Sequence, residues 1–102
     1  MPIYALSTGP GVSGVAVIRL SGKGTIEVIK KISGKTLPKA RVATIRKFYK
    51  SDNKDLIDEG ILIWFPGPES YTGEDMAEFH VHGSKAVVDA LHVSLSKIEG
   101  CR

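Results

Sequence analysis

Residues 65–83 read FPGPESYTGEDMAEFHVHG, and this stretch decides how the rest of the chain is arranged. Its prolines and glycines predict a turn, with the prolines making it rigid. The MAEFHVH segment that follows alternates apolar and polar residues, which is typical of a strand with one covered face. The polar members, Glu78, His80 and His82, therefore share the uncovered face. The apolar members are expected to face the core; they are Ala77, Phe79 and Val81.

A carboxylate and two imidazoles on one strand face fit three kinds of site. The first is a metal site built on Glu78, His80 and His82, although neighbours on one face lie about 6.6 Å apart and a fourth ligand is not evident. The second is an acid/base site, but no nucleophile motif such as Gly-x-Ser-x-Gly accompanies the histidines. The third is an edge that recognises a ligand, and all three alternatives remain open at this point.

Four further segments have the pattern of strands. Residues 3–6 and 15–20 are short apolar runs, and the second is rich in β-branched residues. Residues 41–49 alternate in part, which predicts a half-exposed strand with Ile45 and Tyr49 on one face. The continuous apolar run GILIWF at 60–65 predicts a strand that is covered on both faces.

Two segments have helical spacing. Isoleucines three residues apart predict a helix over 25–32, which Gly34 ends. A second helix follows Gly83, with Ser84 as its N-cap. Its buried stripe is expected to consist of Val87, Leu91, Leu95 and Ile98. The element order is therefore β-β-α-β-β-β-α, which predicts an α+β fold with two helices packed on a mixed sheet.

The composition indicates one ordinary globular domain of 102 residues, with 42% hydrophobic and 25% charged residues. No apolar run approaches the roughly 20 residues that cross a bilayer, so we expect no membrane partner.

The single cysteine, Cys101, excludes an internal disulfide, and no signal peptide is evident, which favours a cytoplasmic protein. The net charge of +3 permits an anionic partner without requiring one. The sequence ends just past a helical pattern, so we expect a longer parent protein.

Two glycine-rich stretches imitate nucleotide-binding motifs. Gly9, Gly11 and Gly14 match the dinucleotide pattern, but the turn opens a strand where that motif requires a helix. The stretch at 22–25, GKGT, lacks the Ser or Thr that follows the lysine of a phosphate-binding loop. The chain alone is therefore predicted neither to bind nor to hydrolyse GTP, and to have no catalytic activity.

Arg19 shares a strand face with Val15 and Val17. A guanidinium beside apolar neighbours needs a carboxylate or a ligand with an anionic or carbonyl group, because burial of an unpaired charge is costly. A structural ion pair with Glu78 or Glu74 and a role in ligand binding are the two alternatives.

Four motifs together resemble a known family. They are STxPGxxG at 7–14, VIRLSG at 17–22, FPGPESYTGED at 65–75 and ExxxHG at 78–83. In order and spacing they are similar to the N-terminal domain of the tRNA modification GTPases of the MnmE family, also called TrmE, over essentially the whole chain. The resemblance implies that residues 1–102 form a folate-binding and homodimerisation domain. It also implies a fold like that of the tetrahydrofolate-binding domain of aminomethyltransferases.

The resemblance implies a larger parent enzyme. A helical domain and a G domain, which hydrolyses GTP with Mg²⁺ and K⁺, would lie outside this chain. With a FAD-dependent partner, MnmG (GidA), the parent would add a carboxymethylaminomethyl-type group at C5 of wobble uridine 34 in tRNA. The alternative is a dimerisation scaffold that has no ligand of its own.

The folate contacts that the resemblance implies fall on Arg19 and Glu78, with no catalytic or metal-binding residue. The expected ligand is a 5-formyl- or 5,10-methylene-tetrahydrofolate, and a third contact would be a lysine beyond Arg102. A carboxylate can accept the paired N–H donors of a pterin, and an arginine suits a carbonyl or carboxylate of the ligand. The first loop departs from the family pattern at Gly9 and after Gly11.

Overall fold

The structure is a computed structural model that describes residues 3–6, 14–34 and 36–98. The predicted element order and α+β class are confirmed. The elements are β1 (Ile3–Leu6), β2 (Val15–Ser21), α1 (Thr25–Ser33), β3 (Thr44–Tyr49), β4 (Leu56–Phe65), β5 (Met76–His82) and α2 (Lys85–Ser96). Gly9, Gly11 and Cys101, on which predictions were made, lie outside the described residues.

The five strands form one sheet in the order β1-β2-β5-β4-β3. All four pairings are antiparallel, so the described sheet is antiparallel where a mixed one was expected. Residues 50–55 join β3 to β4, and residues 66–75 join β4 to β5. Neither connection contains a helix, and each returns the chain as an antiparallel neighbour. The helix α1 connects β2 to β3, which lie at different places in the sheet and do not pair.

Both helices pack on one face of the sheet. Leu91 and Leu95 of α2 are fully buried in the same cluster as Val28, Ile29 and Ile32 of α1. The strand residues in this cluster include the predicted inward residues of β5; they are Ala77, Phe79 and Val81. Phe48 of β3 meets Phe79 edge to face with ring centroids 5.3 Å apart. This dry layer fixes which way every strand faces.

The opposite face of the sheet, here called the open face, is covered by no helix among the described residues. The prediction that residues 60–65 are covered on both sides is therefore wrong. In β4 the alternate residues Leu62 and Trp64 are buried, whereas Ile61 is 36% exposed. In β3 the inward residue is Phe48, and Ile45 is 72% exposed. Apolar residues on the open face explain why these strands do not alternate cleanly.

Both helix ends follow the predicted local chemistry. Gly34 adopts φ 66° and its N–H bonds to the carbonyl of Lys30, so it ends α1 as expected. The Ser84 hydroxyl accepts a hydrogen bond from the N–H of Val87 at 3.2 Å, so Ser84 is the N-cap of α2 as expected.

At Gly60 the backbone of β4 lies very close to that of β5. A Cβ atom built on Gly60 would lie 2.0 Å from the carbonyl oxygen of His80. No side chain can occupy that position unless the backbone shifts, because Cβ atoms do not approach an oxygen so closely. The glycine therefore permits the tight pairing that holds the strand bearing Glu78 in place.

Candidate functional site

Arg19 and Glu78 face each other across neighbouring strands. They are directly paired in the β2–β5 register, so their side chains stand together on the open face. The Arg19 Nε lies 2.8 Å from the Glu78 Oε2. Side-chain exposure is 51% for the arginine and 15% for the glutamate. The ion pair considered from the sequence is therefore present, and it is open to solvent on the arginine side.

Glu78 also bonds to His80, whose Nε2 lies 2.9 Å from the Glu78 Oε1. Partial burial acts to raise the pKa of Glu78, but the hydrogen bonds from His80 and Arg19 and the charge of Arg19 outweigh it. The pKa of Glu78 is therefore held below the usual carboxyl value, and at neutral pH the side chain is an ionised acceptor.

His82 takes part in a separate pair. Its backbone N–H and its Nδ1 both lie 2.9 Å from carboxylate oxygens of Asp58. Partial burial acts to raise the pKa of Asp58, but the bonds from His82 lower it overall. His82 therefore does not join Glu78 and His80 around a common point. Within residues 3–6, 14–34 and 36–98, no group of three or more His, Cys, Asp or Glu side chains is placed to hold a metal.

A cleft opens beside the Arg19–Glu78 pair. One part, of about 90 Å³, is lined by Arg19, Glu78, Phe65, Tyr71 and Met76. A second part, of about 380 Å³, shares Arg19, Tyr71 and Met76 and extends towards β1 and the residues around Thr72. Sites for small ligands commonly have volumes of 300–1,000 Å³ with a few convergent polar groups. The charged pair therefore lies at a concave site, and the part of it that Arg19 and Tyr71 line towards β1 has a volume in this range.

Tyr71 is the most prominent side chain of the cleft that sequence reasoning missed. It is 86% exposed, although a large aromatic ring usually packs against neighbours. The available sequence signal was its position in the SYTGED part of residues 65–75, after the two prolines and before β5.

A groove of about 430 Å³, larger than either part of that cleft, lies further along the open face. Its lining is mainly aliphatic side chain and backbone, including Val15, Ile45, Gly60 and Ile61. The two imidazoles that reach it, those of His80 and His82, are each bonded to a carboxylate. The Arg19–Glu78 cleft differs from this groove, because charge and an exposed aromatic ring meet there in a concave surface.

The sequence matches the family described as GTP-binding protein TrmE N-terminus over residues 2–102. The chain belongs to this family. Among similar curated proteins is a tRNA modification GTPase MnmE of Pelagibacter ubique (strain HTCC1062), 68% identical over 102 residues, which covers 100% of this chain and 23% of that protein. Another is the tRNA modification GTPase MnmE of Maricaulis maris (strain MCS10), 50% identical over 95 residues, with 93% of this chain and 22% of that protein covered.

A third similar protein comes from Danio rerio. The mitochondrial 5-taurinomethyluridine-[tRNA] synthase subunit GTPB3 of Danio rerio is 43% identical over 100 residues, which covers 98% of this chain and 20% of that protein. The chain thus spans about a fifth to a quarter of the length of these relatives. Among the residues of this chain that the structure describes, no helix has the length and apolar character needed to cross a membrane.

Proposed function

We propose that this chain is the folate-binding and dimerisation domain at the N-terminus of a longer tRNA modification GTPase. The observation that carries the proposal is the Arg19–Glu78 pair at the edge of an open cleft beside the exposed ring of Tyr71. Membership of the TrmE N-terminal family supports the same conclusion. The names of the relatives support a GTPase parent that acts on tRNA.

The chemistry of the cleft suits a reduced pterin with its side chain. Glu78 is an acceptor for the adjacent ring N–H and 2-amino group of the pterin, which donate side by side. A guanidinium has five N–H donors and the bond to Glu78 uses one, so Arg19 retains donors for a carbonyl or carboxylate oxygen. Tyr71 and Met76 offer flat and polarisable surfaces against which a ring can pack.

In the parent enzyme the bound ligand would be a 5-formyl- or 5,10-methylene-tetrahydrofolate that supplies one carbon. The helical and G domains, with GTP, Mg²⁺ and K⁺, and the FAD-dependent partner MnmG would complete the machinery in the cytoplasm. The product would be the carboxymethylaminomethyl-type group on wobble uridine 34. The role of the present domain in this reaction is to bind the one-carbon donor and a second copy of itself.

Titration with 5-formyltetrahydrofolate tests the ligand. We expect the full-length protein to bind it, and Arg19→Lys to weaken the complex about tenfold, because an ammonium cannot reproduce the planar donor fork. Arg46→Lys is the matched control, since Arg46 lies on β3, away from the cleft, and donates to the carbonyl of Thr36. Calorimetry of the three proteins measures the difference. Absence of binding by the unsubstituted protein would favour the alternative of a ligand-free dimerisation scaffold.

Self-association tests the second part of the proposal. The open face carries several exposed apolar side chains, and a second copy of the domain can bury them; they are Ile3, Val15, Ile45 and Ile61. We expect Ile45→Asp to weaken association at least about tenfold, because a carboxylate would be desolvated in the interface.

Val93→Asp is the matched control for that substitution. Val93 is 50% exposed on α2, a helix on the other side of the sheet, so the same new charge should leave association unchanged. Sedimentation at rising concentration reports the mass of each variant. A strictly monomeric mass for the unsubstituted chain up to high micromolar concentration would contradict the proposed dimer.

A further inference from the structure

One wall of the ligand cleft is a connection without regular structure. Residues 66–75 join β4 to β5, and Tyr71 and Thr72 from this connection line the cleft. Tyr71 is largely exposed and has little packing of its own to hold it. The position of this wall therefore depends on bonds between the connection and the neighbouring parts of the sheet.

On the β2 side the connection is attached near its end. The hydroxyl groups of Ser21 and Thr72 are 2.8 Å apart, and the N–H of Gly22 donates to the carbonyl of Asp75 at 2.9 Å. Asp75 also accepts a bond from the N–H of Gly67 at 2.9 Å through its side chain. These contacts attach the second half of the connection to β2, and the Gly67–Asp75 bond ties its start to its end.

Arg41, which precedes β3, attaches the first half of the connection. Its backbone N–H donates to the carbonyl of Trp64 at 2.8 Å, at the point where β4 ends. Its Nη2 donates to the carbonyl of Pro66 at 3.3 Å and to that of Glu69. A charged donor makes each of these side-chain bonds stronger than a neutral one would be.

The backbone of Arg41 is itself unusual. Its φ is 62°, in the left-handed region that favours glycine and is unfavourable for other residues. A glycine here would avoid that cost but would lack the guanidinium that reaches Pro66 and Glu69. Backbone conformations of this kind persist where the surrounding contacts hold them, and they occur often at functional sites.

We infer that Arg41 is a positioning residue for the ligand cleft: it holds residues 66–75 in the shape that keeps Tyr71 beside Arg19 and Glu78. The effect on folate rests on the proposed function, whereas the effect on the connection does not. Arg41 lines neither part of the cleft described above, so its influence on a ligand passes through the connection and Tyr71.

Hydrogen exchange measured on the full-length protein without ligand tests the connection directly. In Arg41→Ala we expect the amides of residues 66–75, several of which are bonded within the connection, to exchange about tenfold faster. Arg41→Lys should restore most of the protection, because both side-chain bonds come from one nitrogen, which an ammonium can replace. Arg46→Ala removes an equivalent arginine-to-carbonyl bond elsewhere and should leave these amides unchanged. Unchanged exchange in Arg41→Ala would overturn the inference.

Titration with 5-formyltetrahydrofolate tests the consequence for binding. We expect Arg41→Ala to weaken the complex about fivefold in the otherwise unsubstituted protein. In a protein that already carries Tyr71→Ala, the same substitution should cause a much smaller loss of affinity, because the ring that Arg41 positions is absent. Full additivity of the two substitutions would overturn the route through Tyr71. Faster exchange with unchanged affinity would overturn the positioning role and leave the folate site intact. If the unsubstituted protein fails to bind folate, both the proposed function and the role of Arg41 in folate binding are overturned. The hydrogen-exchange result would still decide whether Arg41 holds the connection.

Discussion

Replacing Glu78 with glutamine should weaken binding of 5-formyltetrahydrofolate about ten- to hundredfold. The carboxylate only accepts hydrogen bonds, whereas the amide places a donor against the donors of the pterin. A lost charge-assisted hydrogen bond is worth about 1.5–3 kcal/mol, which corresponds to this loss of affinity. Because the pKa of Glu78 is held below its usual range by His80 and Arg19 despite partial burial, the unsubstituted side chain is fully ionised at neutral pH. Calorimetric titration of the full-length protein measures the change.

Glu59→Gln is the matched control for this experiment. Glu59 is exposed on β4 and reaches the open face, but it lines the larger groove instead of the Arg19 cleft. The same loss of charge there should leave folate affinity within about twofold. The proposed site is contradicted if Glu78→Gln and Arg19→Lys both leave folate affinity unchanged but lower the melting temperature. In that case the two residues form a structural ion pair and do not contact the ligand.

The largest effect on stability is expected from Gly60→Ala. The added Cβ would meet the carbonyl oxygen of His80 at 2.0 Å, and the obstructing atom is backbone that a side-chain rotation cannot move away. We expect the free energy of unfolding to fall by at least about 3 kcal/mol, because β4 must move away from β5. For a chain of this size, the melting temperature should fall by more than about 12 °C. Thermal unfolding followed by circular dichroism measures the shift.

Gly14→Ala provides the comparison for Gly60→Ala. Gly14 lines the same groove, but a Cβ built there has no neighbour within 4 Å. We expect its free energy of unfolding to stay within about 0.5 kcal/mol of the original value. Equal effects of the two substitutions would show that loss of glycine flexibility, and not the close approach of the strands, controls stability.

The parts of the fold that local chemistry determines were predictable from the sequence. The alternation in residues 76–82 identified β5 with its bounds and its two faces, because side chains alternate along any strand. The caps at Gly34 and Ser84 were predicted because they satisfy backbone groups within a few residues. Glu78 was placed on the uncovered face of its strand, and Arg19 on one face with Val15 and Val17, for the same reason. Their direct opposition follows from the β2–β5 register, which the structure shows.

The parts that depend on distant neighbours were not predictable in this way. The run GILIWF suggests burial on both faces, yet whether a second layer covers a sheet depends on the rest of the fold. The position of Tyr71 depends on how residues 66–75 are held between β2 and β3, which no local pattern encodes. Arg41 gave no signal, since a single arginine before a strand resembles any exposed charge.

The order of strands in the sheet has a consequence for how the domain folds during its synthesis. The central strand β5 is the last of the five to leave the ribosome, and it must insert between β2 and β4. Until then, the inner edge of β2 presents unpaired backbone groups while β3 and β4 form a hairpin of their own. Pairing of strands so far apart in the chain is slow compared with local folding. The nascent domain therefore passes through a stage in which an uncovered strand edge is exposed to other chains, and it is completed only once residues 76–82 have been synthesised.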